Sequence, residues 1–177
     1  MRTDDFWAVI DRATADRPGS PDEVAKRAIA ELATRDPGEI VAWGRHVDKV
    51  MAASGKEDLW AAAYLINGGC SDDGFDSFRG WLIANGRDVL ARAVRDPDSL
   101  TDLPAVRSAA LTGAVFEAEE VLGIAAAAYQ EATGEELPPS DAPPGRPDPA
   151  MLWDFDDEEE MQRRLPRLSS LFLEPPD

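Results

Sequence analysis

The stretch YLINGGCSDDGFDSFRGWLIANGR, residues 64–87, gathers most of the side chains in this chain that could do chemistry. Asp72, Asp73 and Asp76 crowd together after Cys70 and ahead of Arg79 and Arg87, while Tyr64 and Asn67 stand just upstream. Clustered carboxylates suggest a cation. A calcium loop, however, needs oxygen ligands at alternate positions and a bidentate glutamate at the twelfth. Counting from Asp72, the twelfth residue is Ile83, so that reading fails. A looser magnesium or manganese site of two or three carboxylates plus waters is chemically open. Capping accounts for the acids without one, because aspartates in a first helical turn meet the positive end of the helix dipole. No metal and no cofactor are therefore expected. Asp76 fits capping less well. It lies four residues after Asp72 on the same face, where like charges cost about 0.2–0.5 kcal/mol, and Arg79 can offset the repulsion.

Cys70 precedes a predicted helix N-terminus, which lowers a thiol pKa, but a nucleophilic cysteine needs a base. The chain has one histidine, His46, and nothing in the sequence places it beside Cys70. A small packing cysteine and a histidine at the edge of a core are the simpler readings. Tyr64 and Asn67 share one face of their helix, close to Trp60. Their polar groups must find partners there, either by satisfying the turn's own backbone or by lining a pocket between helices. No serine triad, phosphate loop, dinucleotide fingerprint or zinc spacing appears.

Helices must position these residues. The run from Glu57 to Asn67 is apolar on every side, which belongs to the middle of a bundle. Gly68 and Gly69 then supply the left-handed conformation that ends it. Ser71 is the predicted N-cap of the next helix, which runs to about Asn85 and has a core stripe of Phe75, Phe78, Trp81 and Leu82. Ser77, Gly80 and Ala84 form a small-residue stripe where another helix can approach closely. Gly74, early in this helix, costs up to about 1 kcal/mol relative to alanine, so something must use its missing side chain. Upstream, Thr3 with Asp4 and Asp5, SPDE at 20–23 and DPGE at 36–39 predict three helix starts. Downstream, 87–95 reads as a short helix stopped by DPDSL, and 104–133 as one or two alanine-rich helices. Residues 134–149 hold six prolines, a polyproline-like connector. The fold class is all-α: a compact multi-helix bundle over 1–133, a Pro-rich connector over 134–149, and an acidic C-terminal extension over 150–177. That tail is expected to pack back through Leu152, Trp153 and Phe155.

The segments DLWAAAYLINGGCSDDGFDSFRGWLIANGRDVL and DPDSL, with DDFW near the start, GEELPP before the connector and RRLPRL late in the chain, resemble the bacterial family known as domain of unknown function 4240. The resemblance implies a small helical bacterial protein. It carries over no catalytic residue, substrate or cofactor.

The charge balance bears on partners. The chain has 177 residues, 35 acidic against 18 basic, for a net charge of −17. Such a surface repels phosphate backbones and anionic membranes, so neither direct nucleic-acid binding nor membrane binding is expected, and a basic protein partner is. Beyond residue 133 there are 12 acidic and 4 basic residues, which is −8 of the total. A single cysteine fits a reducing compartment, and the charged start lacks the apolar run of a signal peptide. A cytoplasmic location is expected. The sequence favours a non-enzymatic binding module. Its alternative is an enzyme or a small-molecule or metal binder built on the 64–87 helix-turn-helix. For either, the candidate residues are Tyr64, Asn67, Asp72, Asp73, Asp76, Arg79 and Arg87. Asp76, Arg79 and Arg87 are expected to stay partly accessible near the turn.

Overall fold

The computed structural model describes residues 1–15 and 19–173. Its helices are α1 (Thr3–Thr14), α2 (Pro21–Leu32), α3 (Pro37–Ser54), α4 (Glu57–Asn67), α5 (Asp72–Ala84) and α6 (Arg87–Arg95), then a 3-10 segment at Pro97–Asp102. After it come α7 (Pro104–Thr112), α8 (Glu119–Leu122), α9 (Ile124–Thr133), a 3-10 turn at Pro149–Met151, α10 (Glu158–Arg164) and α11 (Pro166–Phe172). No strand occurs among the described residues. The fold is all-α.

Local sequence sets the helix ends. The Ser20 hydroxyl accepts from the Glu23 N–H at 3.4 Å, with Pro21 at the first helical position. At the first helix the cap is Arg2, one residue before the expected Thr3, and its N–H donates to Asp5 Oδ2 at 3.2 Å. Asp36 holds the expected cap position of α3 but makes no side-chain bond there. Gly68 ends α4 at φ 68°, in the left-handed region where a Cβ is costly.

In α4, Leu59, Trp60, the three alanines at 61–63, Leu65 and Ile66 are all buried, as an all-round apolar helix requires. Helix α5 adds Phe75, Phe78, Trp81 and Leu82, and the Trp60 and Phe75 rings stack at 4.9 Å. The small-residue stripe of α5 receives the entry to α8. There the Ala118 N–H donates to the Ser77 carbonyl at 2.9 Å, and a Cβ on Gly80 would stand 2.3 Å from the Ala118 carbonyl oxygen.

The alanine-rich stretch departs from expectation. It is three helices, broken by the non-helical residues 113–118 and by Gly123. Gly113, at φ 70°, ends α7, and Asn67 holds the chain that follows: its side-chain amide donates to the Phe116 carbonyl at 3.1 Å and accepts from the Phe116 N–H at 3.0 Å. The clamp holds a non-helical strip that places the Phe116 ring on Trp81 at 4.3 Å. Tertiary bonding thus outweighs the helix propensity of alanine. DPDSL is likewise more than a stop. Asp98 is buried and accepts from the Arg167 and Leu168 N–H groups at 3.0 and 2.8 Å, capping α11 from a distant part of the chain.

Leu152, Trp153 and Phe155 pack against the core, and Trp153 donates to Glu57 and Asp58 through its backbone and indole N–H groups. Deeper anchors follow that the sequence reading did not single out: Met161, Leu165 and Leu168 are at most 1% exposed.

His46 is buried in α3, its ring stacked on Phe6 at 4.5 Å. Burial, with the nearby positive charges of Lys49 and the N-terminus, pushes its pKa below the ordinary imidazole value. The fold therefore favours the neutral ring, and the unfolded chain binds the extra proton first. Stability is full above the unfolded value near about 6.5 and falls as pH drops through it towards the lower folded one. Thermal melts from about pH 7.5 to about pH 5 should show the native chain losing more than a His46→Gln variant. Parallel losses would place the acid sensitivity elsewhere.

Candidate functional site

The 64–87 turn is built from the end of α4, two glycines and the start of α5. The Ser71 hydroxyl accepts from the Gly74 N–H at 3.1 Å, and Asp72 and Asp73 occupy the first turn of α5. Ser71→Ala should cost about 0.5–2 kcal/mol in urea melts, the usual loss of an N-cap; an unchanged midpoint would mean that the cap bond contributes nothing. A Cβ on Gly74 would meet the Ser71 hydroxyl at 3.2 Å and the Cys70 sulfur at 3.5 Å, so the missing side chain makes room for packed neighbours.

The seven candidates separate into four groups, of which Asp73 is one by itself, its N–H donating to Asp72 Oδ1 at 2.9 Å. Tyr64 and Asn67 are engaged: the Tyr64 hydroxyl donates to Asp156 Oδ1 at 2.6 Å, and Asn67 clamps Phe116 rather than its own turn. Arg87, at the start of α6, is about half exposed and pairs with Asp4 of α1 at 2.8 Å. Asp72, Asp76 and Arg79 converge.

Arg79 is 0% exposed, which corrects the expectation of an accessible cation. Its neighbour at the i−3 position, Asp76, accepts from Nη2 at 2.5 Å, and Nη1 donates to the carbonyls of Met51 at 2.7 Å and Gly145 at 2.6 Å. The guanidinium also sits 4.3 Å above the Phe75 ring. Burial lowers the Arg79 pKa, and the Asp76 carboxylate pushes the other way. Arg146 completes the network: one nitrogen meets the second oxygen of Asp76, and the other reaches Asp72 Oδ2 at 3.1 Å. Sequence reasoning missed Arg146, because its partner Asp72 lies 74 residues away. The available signal was the glycine before it. Gly145 has φ 63°, and a Cβ there would stand 2.7 Å from the Ala52 nitrogen. A glycine in a proline-rich connector marks such a close backbone approach.

Cys70 is half-buried, and its thiol pKa is pushed up to about 12 by burial first, then by Glu117 and Asp76. It is a thiol and not a thiolate at neutral pH. No hydrogen bond joins it to His46 among the described residues. No group of three or more His, Cys, Asp or Glu side chains there could hold a metal ion.

Beside the turn lies an open groove of about 600 Å³, between the first turn of α5 and the entry to α8. Asp73, Asp76, Glu117 and Glu119 line it with Ser77 and Leu122, and among the described residues no basic one does. A second groove of about 440 Å³ runs between α3 and α9, lined by Val41, Gly44, Ala125 and Leu137 among others, and includes none of the candidates. The first can hold a cationic side chain by charge and by hydrogen bonding.

A family described as protein of unknown function (DUF4240) matches residues 1–131. The chain belongs to this family. The matched span takes in the whole 64–87 turn, both walls of the acidic groove and DPDSL, but stops short of GEELPP and RRLPRL. Arg146 and the anchors Met161, Leu165 and Leu168 therefore lie outside it. No curated protein and no solved structure matches the chain significantly. No helix among the described residues is long and apolar enough to cross a membrane.

Proposed function

We propose that this protein is a non-enzymatic binding module that takes a basic segment of a protein partner into the acidic groove. The observation that carries the reading is the lining: Asp73, Glu117 and Glu119 line a common space with no basic residue beside them among the described residues. Charge distribution supports it. Residues 57–177 hold 25 acidic and 9 basic residues, whereas 1–56 hold 10 and 9, so the field is concentrated on the part that contains the groove. A one-signed cleft raises the local concentration of the opposite charge and speeds encounter. The state of the turn supports it too. Tyr64, Asn67 and Arg79, which a catalytic site there would use, are spent on internal hydrogen bonds. The single cysteine suits a cytoplasmic setting.

Isothermal titration with an oligo-arginine peptide at low ionic strength tests this. The combined Asp73→Asn, Glu117→Gln and Glu119→Gln variant should bind about tenfold or more weakly, and salt should weaken the native complex within the range where the Debye length falls below about 10 Å. Equal affinity of the native and neutralised chains would overturn the reading.

A further inference from the structure

We propose that the connector around Gly145 and Arg146 is a latched strap that competes with a basic partner for the carboxylates of α5. This deepens the reading above and rests on it. Arg146 is the only basic residue from 134 to 162, and it lies where Asp72 and Asp76 converge. Asp76 is shared: it lines the acidic groove and bonds Arg146 and Arg79. While the strap is docked, two arginines offset the charge of that wall. Release of Arg146 leaves Asp72 and part of Asp76 to an incoming guanidinium, which meets the same carboxylates in the same way.

The strap is held by shape as well as charge. A Cβ on Gly55 would stand 2.2 Å from the Gly145 carbonyl oxygen, so the connector backbone lies directly against the end of α3. Arg79 joins both sides of that contact by donating to Met51 and Gly145. Arg146 is 18% exposed, so competitors reach its ion pairs from solvent, whereas the Arg79 contact is sealed. The outer pair is therefore the part that opens, and Arg79 keeps α5 and α3 in place when it does. A tethered arginine acts at a high effective concentration, which lowers the apparent affinity of any partner by the fraction of strap released.

The test uses the full chain as native protein, Arg146→Ala, Asp72→Asn and, as a charge control, Arg163→Ala, whose side chain is 67% exposed on α10. Hydrogen exchange at Gly145, Arg146 and Asp148 reads the latch, and fluorescence anisotropy of a labelled oligo-arginine peptide reads the groove. Arg146→Ala should speed exchange at these amides and tighten the peptide about tenfold. Asp72→Asn should speed exchange without tightening, and Arg163→Ala should change neither by more than about twofold. Faster exchange in Arg146→Ala with native-like affinity overturns the competition but leaves the groove reading standing. Unchanged exchange overturns the latch. Absence of peptide binding to native and Arg146→Ala chains alike overturns the groove reading and the competition with it.

Discussion

Asp76→Ala should destabilise the protein by about 3–5 kcal/mol, because it leaves a buried guanidinium without its counter-ion. Arg79 is 0% exposed, and among the described residues Asp76 is its only carboxylate partner; the other acceptors, Met51 and Gly145, are neutral carbonyls. Removing one partner of a buried pair costs far more than the pair contributes, since the remaining charge cannot recover its hydration. Arg146 makes matters worse, because its positive charge then faces Arg79 with only Asp72 nearby. Substituting both Asp76 and Arg79 with apolar residues should recover part of the loss, as the stranded charge is gone. Equilibrium urea unfolding of the single and double variants reads this coupling. A loss below about 1 kcal/mol for Asp76→Ala would show that Arg79 finds water or another acceptor.

Trp60→Ala should cost about 3–5 kcal/mol, the range for deleting a large buried aromatic. Three contributions add at this position. The side chain is 2% exposed, its ring stacks on Phe75, and its indole N–H donates to the Cys70 carbonyl at 3.0 Å. The last bond ties α4 to the residue just before Ser71, so the substitution loosens the turn as well as opening a cavity. Trp60→Phe keeps most of the volume but drops the donor, and should cost less than the alanine variant. A Trp60→Ala chain that unfolds cooperatively with little loss would contradict the central position of α4.

Much of the frame is legible in the sequence because short-range rules write it. All-round apolar composition marks α4, the glycines at 68 and 69 mark its end, and Ser71 followed by acids marks the start of α5. The stripe of Ser77 and Gly80 anticipates a close neighbour, though not that the neighbour is the backbone at Ala118. What the sequence hides is long-range pairing. Asn67 binds Phe116, Asp98 caps α11, and Arg146 reaches Asp72 and Asp76, each across dozens of residues. Periodicity reports which face of a helix is apolar, not which distant polar group will meet it. For the same reason Arg79 reads as a surface cation offsetting Asp76, whereas it is the buried centre of the network. Arg87 is about half exposed, and its ion-pair partner, Asp4 of α1, is another long-range contact that periodicity does not report.

The acidic groove was also only half visible. Asp73 and Asp76 stand in the 64–87 stretch, but Glu117 and Glu119 join them through the clamp that Asn67 places on Phe116. The most direct measurement of where a basic partner sits is amide chemical-shift mapping of the full chain during titration with the oligo-arginine peptide. The proposed function predicts saturating shifts at Asp73, Gly74 and Glu117 to Gly123, reduced by added salt. Shifts confined to the acidic run at 154–160, with the groove amides unmoved, would contradict it.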